Sequence, residues 1–377
     1  MHARSRTTVL AASVVLALVA GPLAAPAFAS PATASVRAES GPDAEALAAA
    51  IAGLPDHDAT AAVIRVGGKG TWRGTAGVRD VRTGAAALEN GRFRAGSVTK
   101  VVTAAMVLQL AAEGRIDLDG TVQQYLPGLL TEDFRPITVR ELLNYTSGLQ
   151  PGASLGDTVE EGYAHRFETL TPQQVVAESV AQGPAYEPGT HQDYGNIHYT
   201  VLGMLIEKVT GDSYAHQAAV RIFRPLGMRN SSFPVGADPR VHGPHNRGYD
   251  WIGDKLVDVT DWNMSDRRAA GDMISTTADL ERLLVGLFRG RVVPQPQLKE
   301  MFTLPDVPGA RYGAALERFE LNGRVIWGKT GSRPGYATVI AATPDLSRTL
   351  VYSVNSTDAK GDGQAVAQRF AYPAFNR

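Results

Sequence analysis

The chain has 377 residues, with 37 lysines and arginines against 38 aspartates and glutamates, and no cysteine. Nearly balanced charge offers no attraction to nucleic acid or to an anionic membrane surface. The lack of cysteine excludes disulfide scaffolds, thiol catalysis and thiolate metal sites together. A chain of this length can bury a large core, and about two domains are expected.

In chain order, the N-terminus reads as a secretory signal. His2, Arg4 and Arg6 supply a positive start, Val9 to Ala20 an apolar run, and Ala27-Phe28-Ala29 a small-x-small cleavage site. Cleavage after Ala29 is expected, so 1–29 is a signal peptide and the Ala/Ser/Pro-rich stretch 30–42 a flexible leader. The apolar run is too short to span a bilayer and is broken by Gly21 and Pro22. The sequence therefore predicts a secreted protein without a membrane span once the signal is removed.

Asp43 to Ala52 reads as a helix. Two β-branched runs follow, Ala59 to Val66 and Thr71 to Val78, with Gly67 to Gly70 as the turn of an antiparallel pair. Val98 to Ala112 is apolar on nearly every side and predicts a buried helix. Shorter helices are predicted over Thr138 to Leu143, Thr171 to Gln182 (Thr171 capping, Pro172 at the first position) and His198 to Val209, closed by Gly211. The last hundred residues give a helix over Thr277 to Leu287 and strands over Arg324 to Trp327, Tyr336 to Thr343 and Thr349 to Val354. A final helix from Gly363 to about Phe370 follows. Strands at both ends with helices between predict an α+β protein: 43–95 with 275–377 as an α/β sheet domain, and 96–274 as a mainly helical domain.

Three short motifs carry chemistry. Ser97 precedes Lys100 by three residues at the start of the apolar helix, so hydroxyl and amine share a face. A lysine in an apolar wall loses proton affinity and can activate a serine nucleophile. Tyr194-Gly195-Asn196 precedes another helix. A phenol near an ammonium can relay protons to and from Ser97, and the Asn196 amide can hold a substrate amide. Lys329-Thr330-Gly331-Ser332 follows an apolar strand. Lys329 suits a substrate carboxylate, with Thr330 and Ser332 adding hydroxyls, and Gly331 clears space where a ligand backbone approaches. The N–H groups of Ser97 and Ser332 are the natural oxyanion pair. The histidines form no ligand set, and there is no Gly-x-Ser-x-Gly elbow, so neither a metal site nor an α/β-hydrolase esterase is indicated.

In this order and spacing the motifs resemble those of the penicillin-recognising serine hydrolases, the serine β-lactamase and penicillin-binding protein family. Within that family the chain is most similar to the exported D-alanyl-D-alanine carboxypeptidases of Streptomyces and to class C β-lactamases. The resemblance extends to Thr146-Ser147-Gly148-Leu149, Glu187-Pro188-Gly189-Thr190 and Pro225-Leu226-Gly227-Met228. It implies an antiparallel sheet flanked by helices, an all-helical domain, and an active site between them. The implied activity is D-Ala-D-Ala carboxypeptidase action on peptidoglycan stem peptides through an acyl-enzyme at Ser97. Lys100 and Tyr194 would move protons; no cofactor is needed, β-lactams would bind, and a monomer is expected. The rivals are a class C-like β-lactamase, an esterase or amidase of the same fold, and a non-enzymatic penicillin sensor. Lys329-Thr330-Gly331 stands where the Streptomyces carboxypeptidases usually have His-Thr-Gly, and Gly195 where they have serine. Arg318 lies in the neighbourhood of their carboxylate-binding arginine, and Trp262 is expected to line the pocket.

Overall fold

The computed structural model describes residues 41–359 and 363–376. The expected signal peptide and all but the end of the leader lie outside the described residues.

Local signals form the first elements. Asp43 accepts the Ala46 N–H at 2.9 Å and caps the helix Ala44–Ala49. The glycine turn joins strands Ala59–Gly68 and Trp72–Asp80, with Val66 opposite Trp72. Together with strands from the far end of the chain they make one antiparallel seven-stranded sheet. Its order is Ala85–Ala86, Trp72–Asp80, Ala59–Gly68, Arg348–Ser356, Tyr336–Ala342, Arg324–Arg333 and Glu317–Leu321.

Period-two alternation gives the sheet two buried faces. Ala62, Ile64 and Val66, with Leu350, Tyr352 and Val354, pack in one cluster with Leu47, Ile51, Phe370 and Phe375 from the terminal segments. Trp327, Ile340 and Val351 face the other way. They share the main core with Leu280, Leu283, Leu284 and Leu287 of the helix Thr277–Phe288. The same core takes in the helix Thr99–Ala112, which is buried on nearly all sides.

Capping explains the predicted helices. Thr138 and Thr171 each form a capping box, with Glu141 and Gln174, at the heads of Val139–Leu143 and Pro172–Ala181. Ile197–Thr210 ends at Gly211, whose φ of 69° suits a residue without a Cβ.

Two differences from the sequence reading bear on the site. The strand expected to stop at Trp327 continues to Arg333, because it is paired with Tyr336–Ala342 along Lys-Thr-Gly-Ser-Arg. A ladder on a flanking strand holds polar residues extended whatever their side chains. The edge strand Glu317–Leu321 and the hairpin Tyr249–Ile252 with Lys255–Asp258 are additional. Their charged, alternating residues carry little apolar signal.

Candidate active site

Two glycines seat the serine. Gly96 has a φ of +53°, and a Cβ there would stand 2.6 Å from the Ser332 backbone nitrogen. A Cβ on Gly331 would stand 2.1 Å from the Ala95 carbonyl oxygen and 3.2 Å from the Ser97 nitrogen. Gly331 is thus required where the strand backs onto the chain's own serine turn, a demand separate from the ligand approach expected there. The contact makes the Ser97 and Ser332 N–H groups neighbours, as an oxyanion hole requires.

The tight turn Gly96–Val98 runs into the helix that carries Lys100. Lys100 is fully buried. Its Nζ donates to Ser97 Oγ at 3.1 Å, to Asn196 Oδ1 at 2.7 Å and to the Ala270 carbonyl at 2.7 Å. Burial brings its pKa down to about 8, and the positive charge of Lys329 assists while Tyr194 opposes. The Ala269–Met273 segment that supplies the carbonyl is tied to the same helix. Thr103 Oγ1 donates to the Ala269 carbonyl at 2.6 Å, and Met273 N–H donates to Thr99 Oγ1 at 3.0 Å.

The Tyr194 ring lies between two ammonium groups, its centroid 5.0 Å from Lys100 Nζ and 4.6 Å from Lys329 Nζ. Burial alone would push the phenol up, but the two cations outweigh it and bring the pKa down to about 8. Ser97 and Lys100 lie close enough to the hydroxyl to contribute, yet among the described residues no hydrogen bond of good geometry satisfies it. It is therefore available to a reacting atom. Tyr145 and Tyr312 pack on the ring at 4.9 and 5.3 Å. Tyr145 holds this position at a φ of 65°, an uncommon conformation for an aromatic residue.

Lys329 is buried and donates to the carbonyl of Thr330 at 3.0 Å. The Asn196 carbonyl oxygen is occupied by Lys100, so its amide N–H groups are the part left for a substrate. Thr330 is half-buried on the strand beside Lys329. The Ser332 hydroxyl donates to the Ala359 carbonyl at 2.6 Å, which removes it as a donor to the substrate carboxylate expected there.

Two expected residues fall outside this cluster. Trp262 is 4% exposed and packs with Val259, Met264 and Tyr163 in a small cluster of its own. It is a packing tryptophan, held closely against Gly162. Arg318 lies opposite Trp327 on the edge strand and pairs with Glu320 at 2.8 Å. Its guanidinium serves a surface ion pair.

Other contributors were missed. The Ala270 carbonyl is a backbone group with no side-chain signal. Gly96 sat within the serine motif, but its close approach depends on a strand more than two hundred positions away. His198, expected only as a non-ligand, donates from Nε2 to the Asp193 carbonyl (3.1 Å) and accepts at Nδ1 from the Ser147 hydroxyl (2.8 Å). Burial lowers its pKa to about 4, so it stays neutral while bracing the loop before Tyr194. Among the described residues no group of histidine or carboxylate side chains can hold a metal ion.

A buried lysine on a serine, a phenol between two cations and a paired oxyanion site are the arrangement that acyl transfer by a serine nucleophile requires. The chain belongs to the Beta-lactamase family, whose model matches residues 47–372. It is 28% identical to the putative penicillin-binding protein PbpX of Bacillus subtilis over 211 residues, 56% of this chain and 50% of that protein. It is 25% identical to penicillin-binding protein 4* of Bacillus subtilis over 306 residues, 76% of this chain and 66% of that protein. The chain thus spans about half to two thirds of these relatives. Among solved structures, a D-stereospecific amidohydrolase from Streptomyces sp. matches with a TM-score of 0.76 at 33% identity, over 87% of this chain and 99% of that one. The D-amino acid amidase from Ochrobactrum anthropi SV3 complexed with D-phenylalanine matches with a TM-score of 0.69 at 26% identity, over 86% of this chain and 96% of that one. The α+β fold, an antiparallel sheet with helices, is that of these neighbours.

Proposed function

We propose that the protein hydrolyses amide bonds on the carboxyl side of D-amino acid residues through an acyl-enzyme at Ser97. The observation that carries this is the 3.1 Å contact between Ser97 Oγ and the buried Lys100 Nζ, beside a Tyr194 hydroxyl without a partner. Ser97 attacks the carbonyl as its proton passes to the Lys100–Tyr194 pair. The tetrahedral oxyanion rests on the N–H groups of Ser97 and Ser332. Tyr194 returns the proton to the leaving amine, and water then releases the acid. The D preference is supported by the full-length likeness to a D-stereospecific amidohydrolase.

D-Ala-D-Ala carboxypeptidase action on stem peptides is the second reading. Lys329 with Thr330 favours it, as a cation and a hydroxyl suited to a terminal carboxylate. The displacement of Arg318 into a surface ion pair weighs against it and toward a neutral leaving group such as ammonia. The signal-like N-terminus supports action outside the cell, as a secreted protein.

The test is rates on D- and L-phenylalanine amides, on an N-acyl-D-Ala-D-Ala peptide and on a penicillin. Faster hydrolysis of the D-amide by about 100-fold or more, lost in Ser97→Ala, is expected. Equal rates on both enantiomers, or hydrolysis surviving in Ser97→Ala, would overturn the proposal. A peptide hydrolysed faster than the amide would select the carboxypeptidase, and rapid penicillin turnover the β-lactamase.

A further inference from the structure

Lys329, Gly331 and Arg333 alternate along one strand and so share a face, the one that backs onto the serine turn at Gly331. Lys329 is used in the site described above; Arg333 is not. Arg333 is 7% exposed, and among the described residues it makes no hydrogen bond or ion pair. Its Nε is sealed without a partner, while the terminal nitrogens are not sealed in this way. A guanidinium this deep ordinarily has a carboxylate or carbonyls around it, because a buried charge without partners is costly.

The neighbouring charges do not supply one. Arg94 is spent on the carbonyls of Thr260 (2.8 Å) and Pro239. Arg267 takes the Asp266 carboxylate at 3.3 Å and donates to Ser154 Oγ at 2.8 Å. Asp272, the other nearby acid, accepts the Ala269 N–H and is pushed up to about 7 by burial. Burial brings Arg333 itself down to about 10, with Arg267 and Arg94 adding to the fall and Asp266 and Asp272 opposing it. Asp266 keeps its Oδ1 without a hydrogen-bond partner, yet among the described residues no carboxylate lies within ion-pair distance of Arg333, which is the arginine left over.

Its place on the strand says what could complete it. At about 3.3 Å per residue, Arg333 lies about 3 Å beyond the oxyanion residue Ser332, and Lys329 about 10 Å before it. A substrate laid along the strand with its leaving group toward Lys329 has its acyl part toward Arg333. The geometry points to Arg333 as the reader of a carboxylate on the acyl portion of the substrate, a D-residue bearing an acidic side chain. The inference rests on the reading of an acyl-enzyme at Ser97, and it takes from Lys329, placed on the leaving-group side, the direction of the substrate.

The test is calorimetric binding to the Ser97→Ala protein of two near-isosteric probes, N-acetyl-D-glutamic acid α-amide and N-acetyl-D-glutamine α-amide. The acidic probe should bind more tightly by about tenfold or more, equivalent to about 1.4 kcal/mol. That ratio should fall to about one in Arg333→Gln and to an intermediate value in Arg333→Lys, which keeps the charge but not the fork. In the active protein the acidic substrate should lose through KM more than through kcat. No preference for the acid in the parent, or equal weakening of both probes by Arg333→Gln, would overturn the inference. If Arg333→Gln does not fold, the Arg333→Lys ratio decides. Ser97-dependent hydrolysis of D-phenylalanine amide tests the amide-hydrolase reading separately, since that substrate carries no acid.

Discussion

Lys100 and Lys329 are both buried, and both lie within 5.0 Å of the Tyr194 ring centroid, yet they are built for different work. Lys100 has three acceptors, one of them the nucleophile, and burial brings its pKa down to about 8. Among the described residues the Lys329 side chain makes a single hydrogen bond, to the carbonyl of the next residue on its strand. The first is held where it can give and take a proton. The second is a fixed positive charge that tunes its neighbours and remains open to an anion. Two identical side chains are separated by what surrounds them, which no motif states.

The comparison can be broken most severely at the nucleophile. Ser97→Ala should lower kcat by about a millionfold, since loss of the nucleophile removes the pathway. Lys100→Ala should cost about a thousandfold or more, because a positioned general base contributes about 10² to 10⁴. Steady-state rates on a D-amide check both, and a Lys100→Ala protein of near-normal activity would make another group the base.

Gly331→Ala tests the seat beneath both lysines. Its Cβ would need the space of the Ala95 carbonyl oxygen, 2.1 Å away. Loss of most activity, with a melting temperature lowered by several degrees, is expected.

Lys329→Met sharpens the comparison through pH. The amine of Lys100 must be free to act as base, so kcat/KM should rise with pH through about 8. Lys329 disfavours the protonated form of Lys100 and favours the phenolate of Tyr194. Removing its charge raises both pKa values, so the rising limb should move to higher pH. The limb belongs to the coupled pair, not to either residue alone. An unmoved limb would separate Lys329 from the tuning of the site.

The smallest effects on rate are expected outside the cluster. Trp262→Ala should lower stability by about 3 to 5 kcal/mol, as for a large buried aromatic. Arg318→Ala should change stability by less than about 1 kcal/mol, as for an exposed ion pair, and leave rates on a D-amide within about twofold. Denaturant unfolding and the same rate assay read both.

How much of this was legible follows from the range of each signal. Ser97 with Lys100 is a local spacing on one helix, and Asp43, Thr138 and Thr171 are local caps, so all could be read directly. The strand end was missed because Lys329 to Arg333 is held extended by Tyr336–Ala342, not by its own composition. The edge strand had a local signal that went unused. Asn322-Gly323 is a two-residue hairpin turn with φ of 53° and 73°. The roles of Gly331, Ser332 and Arg318 depended on partners at Ala95, Ala359 and Glu320, and only the last is near in sequence. Arg333 was invisible as a candidate because its interest lies in the partners it lacks.

The central claim is that Ser97 carries the acyl group, and intact mass tests it most directly. The protein and its Ser97→Ala form would be mixed with a D-phenylalanine ester or a penicillin and quenched in acid over time. The account predicts a transient or lasting mass increase equal to the acyl group, confined to a peptide containing Ser97 and absent from Ser97→Ala. An adduct of the same mass on Ser97→Ala, or turnover with no acylated protein at any time together with full activity in that variant, would contradict it.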